Sequence, residues 1–176
     1  MLASNIGQTN IESLNLVMPG HDYGWPIREG NFLINPEGDL NKIYRLPAND
    51  SKYSITYPIA EYDHDEGKSI SGGYEYRGEA LPHVKGKFLF GDILTGRLFF
   101  IDLKDLKDLQ QGTLAPIKEW KIALQGVPLS LKEHFKNERV DLHLGRDASG
   151  ELYLLTKTDG KIYRLSSATM TSTSSR

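Results

Sequence analysis

Two stretches of this chain share one layout. Residues 86–101 read GKFLFGDILTGRLFFI and residues 150–165 read GELYLLTKTDGKIYRL. Each opens on a glycine and runs through a hydrophobic strand. A short polar turn ending in Gly plus Arg or Lys then leads into a second strand. In the second copy the turn contains Asp159-Gly160, a strong short-range hairpin signal. Gly86 and Gly150 stand 64 residues apart, longer than the common propeller periods but compatible with blades that carry long inserted loops. A recurring hairpin of this kind points to an all-β fold of β-propeller blades.

Other segments extend the pattern. Strands are expected at Ile11–Val17, Tyr53–Ile59, Gly72–Tyr76, Lys87–Phe90, Arg97–Leu103, Pro116–Leu124, Val140–Leu144, Leu152–Thr156 and Lys161–Leu165, each bounded by Gly, Pro or Asp turn signals. Pro58 makes the Tyr53–Ile59 run an edge strand or a strand end. Leu103, Leu106 and Leu109 recur at a spacing that suits one or two helical turns closed by Gly112. Residues 27–52 read as a long surface excursion in which the short apolar burst FLI (Phe32–Ile34) is a candidate for local pairing, and 125–138 as irregular and polar. In HDYGWP (His21–Pro26) two aromatics flank a glycine before a proline, a corner expected to bury the indole. The sum is eight to ten short strands and one short helix. The 17 glycines and 9 tyrosines of a 176-residue chain agree with a loop-rich all-β domain.

Composition excludes several functions. A formal net charge of −2 gives no electrostatic case for nucleic acid or an anionic membrane surface. No apolar run has the length of a membrane-spanning helix. There is no cysteine, hence no disulfide, zinc thiolate or thiol nucleophile. The first 20 residues lack the basic start and long apolar core of a signal peptide. Polar groups crowd into YDHDEGKS (Tyr62–Ser69), where a loop would offer them to a ligand. The carboxylates around His64 lack the ligand ladder of a calcium loop, so no metal site is assigned.

Three segments, taken in order, resemble one family. NIGQTNIESLNLVMPGHDYGWPIREG, YDHDEGKSISGGYEYRGEALPHVKGKFLFGDILTGRLFFIDL and RDASGELYLLTKTDGKIYRL are similar to the C-terminal part of the glucose/sorbosone dehydrogenases. These are soluble aldose sugar dehydrogenases that use pyrroloquinoline quinone (PQQ). The resemblance implies a six-bladed β-propeller of well over twice this length. Residues 1–165 would be its last two to three blades and 166–176 a disordered polar tail. It implies an aldose oxidised at C1, PQQ with calcium as cofactors, an external electron acceptor, and a periplasmic or secreted parent protein. The family's general-base histidine and most of its calcium ligands fall outside the matched part, so no catalytic residue is assigned here.

By the same resemblance, Tyr62 flanks the quinone and sugar pocket; His64, on the polar loop beside it, is a second candidate sugar contact. Arg139 matches one of two cofactor-contacting arginines, although the partner position holds Asp141. A cofactor-contacting lysine falls near Thr95, with Arg97 as its substitute. Guanidinium groups suit a tricarboxylate quinone as planar, bidentate partners. A second reading is a non-catalytic propeller module that binds carbohydrate or protein. Open blade edges and faces also favour self-association or docking of an N-terminal half.

Overall fold

The computed structural model describes residues 1–124 and 126–168. The expected disordered tail lies, from Thr169 onward, outside the described residues. Fifteen short strands, one five-residue α-helix and three short 3-10 turns make up the regular structure among those described. In chain order the first strands are β1 (Leu2–Asn5), β2 (Ile11–Leu16), β3 (Arg28–Glu29), β4 (Phe32–Ile34), β5 (Ile43–Arg45) and β6 (Ala60–Asp63). A central group follows: β7 (Ile70–Glu75), β8 (Lys87–Asp92), β9 (Leu98–Asp102) and β10 (Lys118–Trp120). The chain closes with β11 (Ile122–Leu124), β12 (Val127–Leu129), α1 (Leu131–Phe135), β13 (Leu142–Arg146), β14 (Leu152–Thr156) and β15 (Ile162–Arg164).

Three antiparallel sheets form the blades. They run β1-β2-β6, β7-β8-β9-β10 and β13-β14-β15, and β1 and β13 both pack against β7. The middle blade is a four-stranded meander with a neighbour on each face. That explains why LFFI in β9 is apolar throughout: successive side chains point to opposite faces, and both faces are buried. Phe99 and Ile101 join Leu14, Ala60, Tyr62, Ile70 and Phe90 against the first blade. Leu98 joins Val140, Leu142 and Leu154 against the third. The rings of Tyr62, Phe99 and Phe90 follow one another at 5.3 and 5.6 Å. Burying one such aromatic contributes about 1.5–3 kcal/mol, several times the median surface ion pair. The stack of blades is therefore held by its interleaved cores.

Glycines set how closely the blades approach. A Cβ on Gly91 would lie 2.6 Å from Leu142 Cδ2 of the third blade and 3.1 Å from the Arg97 carbonyl oxygen. In the S-I-S-G-G segment β7 carries a bulge between Ser71 and Gly73. Gly72 there faces open space, whereas a Cβ on Gly73 would meet the Leu89 carbonyl oxygen at 2.5 Å.

Several sequence expectations are corrected. Trp25 is 61% exposed. The HDYGWP corner is tied instead by the Tyr23 hydroxyl, which donates to the Leu16 carbonyl (3.0 Å) and accepts from the Met18 amide (2.8 Å). Residues 27–52 hold more than a local FLI pairing: they form the β3-β4-β5 sheet and a buried Arg28–Asp50 pair in which Nη2 donates to both carboxylate oxygens. Tyr53–Ile59 forms no strand beyond a single Asp22–Ile55 bridge. Leu103–Leu106 is a 3-10 turn rather than an α-helix, and its leucines, with Leu109, cap the first core. Pro116–Leu124 splits into β10 and β11, which belong to different sheets. Within 125–138, Ser130 and Glu133 form a capping box that starts α1.

The two hairpin turns of the third blade are closed by aspartates. The Ser149 hydroxyl, with the Tyr153 hydroxyl and the Glu151 and Ser149 amides, outweighs burial and holds the Asp147 carboxyl down at about 2. Burial pushes Asp159 up, but the Tyr163 and Thr156 hydroxyls and the Lys161 amide overcome it and also bring that carboxyl to about 2. An aspartate in an unfolded chain titrates near ~3.9. Both groups thus contribute stability that is present above about pH 4 and is lost as pH falls toward about 2. Thermal melts across that window are expected to show a falling midpoint. Asp147→Asn, less stable at neutral pH, is expected to fall less steeply; a slope identical to that of the unmodified chain would contradict this role. Gly91→Ala is expected to lose about 1–3 kcal/mol in urea unfolding through overpacking, while Gly72→Ala stays near the parent value.

Candidate functional site

One end of the three blades gathers most of the polar loops. Here β6 and β8 end, β7, β9 and β13 begin, and β14 turns into β15. Loop 64–69 is stitched to the 93–97 turn by the Ile93 amide, which donates to the Ser69 carbonyl at 2.7 Å. The same turn receives the third blade, with the Val140 and Leu142 amides donating to the carbonyls of Leu94 and Ile93, both at 2.9 Å.

Asp92 is the hub of this end. It is fully buried. Oδ2 accepts from the Lys68 amide (2.6 Å), the Ser69 amide (2.7 Å) and the Tyr62 hydroxyl (3.2 Å). Oδ1 accepts from the Thr95 amide and hydroxyl, both at 2.7 Å. One carboxylate thus fixes a loop of the first junction and the β8–β9 turn together. Gly67 is required at the same spot, because a Cβ there would stand 2.6 Å from Tyr62 Cε2 and 2.7 Å from Asp92 Oδ2.

Glu12 is a second buried carboxylate, 0% exposed on β2. Its Oε2 accepts from the Ile70 amide at 2.8 Å, and its Oε1 lies 3.0 Å from His64 Nε2. With the Nε2 proton donated to Glu12, His64 Nδ1 has no hydrogen-bond partner among the described residues. The imidazole remains 24% exposed. Asp63, Asp65, Glu66 and Lys68 are exposed around it.

The nominated residues occupy different settings. Tyr62 does not stand at a pocket mouth: it is 4% exposed, packs on Phe99 and donates to Asp92. Burial, then the Asp92 charge beside it, push its phenol far above the ordinary range. Arg97 donates through Nε and Nη2 to Glu119 (2.8 and 3.0 Å) and through Nη1 to the Glu66 carbonyl, with its guanidinium 4.9 Å from the Phe99 ring centroid. The hydrogen bond to Glu119 raises its pKa further. Arg139 is 66% exposed and donates from Nε to Asp141 at 2.6 Å. A cleft of about 220 Å³ lies beside the 95–97 turn, bounded by Thr95, Arg97, Glu119 and Ser130. Tyr62 and Arg97 therefore meet around loop 64–69, and His64 lies on that loop, whereas Arg139 sits apart in a surface pair.

The sequence reading missed Asp92, Glu12 and Glu119. Glu12 carried a signal, since it falls in phase with Leu14 and Leu16 on the apolar face of an alternating strand. A carboxylate in that phase must find donors or remain costly.

With this geometry in view, the similarities to known proteins are specific. A family model for Glucose / Sorbosone dehydrogenase matches residues 1–164. The chain belongs to this family. The HIPL1 protein of Arabidopsis thaliana is 33% identical over 100 residues, which are 52% of this chain and 14% of that protein. The HIPL2 protein of the same plant is 29% identical over 104 residues, 56% of this chain and 14% of that protein. The PQQ-bound form of aldose sugar dehydrogenase from Streptomyces coelicolor superposes with a TM-score of 0.51 at 23% identity, covering 91% of this chain and 35% of that chain. A glucose dehydrogenase crystal structure gives 0.52 at 18% identity, covering 88% and 38%. The fold is that of β-propeller blades. The chain spans about a third of the length of these solved relatives and a seventh of the curated ones.

Replacing Asp92 by Asn keeps its shape but turns an amide NH₂ toward groups that already donate. Asp92→Asn is expected to cost about 3 kcal/mol and to abolish hydrogen-exchange protection at the Lys68 and Ser69 amides. Unchanged protection there would show that the loop is held by other contacts.

Proposed function

We propose that this chain is the sugar-recognition part of an aldose-dehydrogenase-type propeller, with the loop-rich end of its blades as the ligand face. The observation that carries the reading is the Glu12–His64 pair. A buried carboxylate fixes the imidazole through Nε2, and the unpartnered Nδ1 of this half-buried ring can accept a hydrogen bond from a sugar hydroxyl. Lys68, Asp63 and Asp65 add exposed donors and acceptors of the kind a polyol needs. Membership of the glucose/sorbosone dehydrogenase family supports an aldose as the ligand class.

The resemblance also implies a quinone. When bound, PQQ would take up the hydride from the sugar C1 and pass its electrons to an external acceptor. The residues nominated for it here do not fit a tricarboxylate. Arg97 commits its fork to Glu119 and the Glu66 carbonyl, and Arg139 is neutralised by Asp141. Tyr62 is sealed in the core. No redox step is assigned to these residues, and their pairing favours carbohydrate binding over oxidation by this chain alone. His64 orients a hydroxyl and Asp92 holds the loop that presents it.

Thermal melts with D-glucose, and separately with PQQ plus calcium, test the reading. Sugar at about a hundred times its dissociation constant is expected to add roughly 2.7 kcal/mol, a rise of several degrees, in the unmodified chain and none in His64→Ala. PQQ with calcium is expected to leave the midpoint unchanged. A flat response to sugar sinks the proposal, and a rise with PQQ restores the quinone site.

A further inference from the structure

A second cavity has no residue of loop 64–69 in its lining. About 370 Å³ stands open between the middle and third blades, near the start of β8 and the end of β15. That volume falls within the range of about 300–1,000 Å³ common for small-ligand sites. Its inner wall is aromatic: Phe100 and Trp120 meet edge-on at 5.8 Å, and Tyr163 faces them from the third blade. The indole Nε1 of Trp120 is buried and has no hydrogen-bond partner among the described residues. Trp120 lines the cavity, and a buried donor left unmet beside such a space is a candidate for an acceptor brought by a ligand.

The charges around the cavity are unequal. Lys87, Lys121 and Arg164 line it. Lys87 is paired with Asp102, but neither Lys121 nor Arg164 has a carboxylate within ion-pair distance among the described residues. The lining carboxylate of Glu119 is already held by both ends of the Arg97 fork. The net demand of the site is thus for an anion beside flat apolar walls.

We propose that this inter-blade cavity is a binding site for a small aromatic carboxylate. Its ring lies against Phe100 and Trp120, and its carboxylate meets Lys121, Arg164 and the Trp120 N–H. The site is independent of the sugar face, and neither reading rests on the other.

Isothermal titration of the full chain at pH 7 with 2-naphthoate, and with its uncharged analogue 2-naphthol, tests the proposal. One-to-one binding of 2-naphthoate is expected, with 2-naphthol about tenfold weaker. The paired surface change Lys121→Gln with Arg164→Gln is expected to erase that preference without disturbing the core. Trp120→Phe keeps a ring but removes the donor, and should weaken 2-naphthoate by about tenfold. Absence of binding, equal affinity for the two compounds, or full affinity in the paired variant would overturn it.

Discussion

A buried carboxylate that accepts backbone amides is the interaction on which this architecture depends. Asp92 takes five hydrogen bonds from loop 64–69, Tyr62 and the β8–β9 turn. Three other acidic side chains do the same elsewhere. Glu29 accepts the amides of Thr9, Asn10 and Ile11. Burial pushes its carboxyl up, yet these donors and the Asn10 side chain bring it below the usual range. Glu151 accepts the Glu79 and Ala80 amides and the Tyr76 hydroxyl, which lower it likewise. Glu12 ties Ile70 and His64 to the first blade. Blades leave many loop amides without strand partners, and each such amide needs an acceptor or costs free energy. One carboxylate with four lone-pair directions meets that need with very little chain.

The same economy decides what the loop-rich end can offer. Carboxylates that are filled by amides cannot also hold ligands, and arginines that are filled by carboxylates cannot hold anions. What remains open there is the outer side of His64 and the exposed polar groups of its loop. Around His64 three exposed carboxylates (Asp63, Asp65, Glu66) outnumber the one exposed ammonium of Lys68, a setting that suits hydroxyls better than a polyanion. The inter-blade cavity has the opposite character, with flat rings and uncommitted cations.

The hairpins around Gly86 and Gly150 were legible in the sequence because their strands are buried on one or both faces and their turns carry Gly at the required positions. The family was legible from the SISGG and GELY segments, whose glycines mark a bulge and a close blade contact. Trp25 was misread because the corner needs only one anchored aromatic, and the Tyr23 hydroxyl supplied it. Tyr62 and Arg97 were found as residues but not as environments. Motif matching locates a side chain on a loop, while its availability depends on partners distant in sequence: Asp92 for Tyr62 and Glu119 for Arg97. Of the small inserted sheets only the FLI burst of β4 and the stretch holding β11 were legible; their partners were not, because strands of two or three residues carry no readable period.

Among the described residues the middle blade is the only one of the three with packed neighbours on both faces, and this grades cohesion across them. Opening costs rise inward, since β8 and β9 cannot separate without exposing both cores, whereas β15 and β1 each release one. Asp92 and its loops are anchored on that innermost unit. The Asp92 end of loop 64–69 thus belongs to the last part of the protein to come apart, whereas the hold of Glu12 on His64 depends on the first blade.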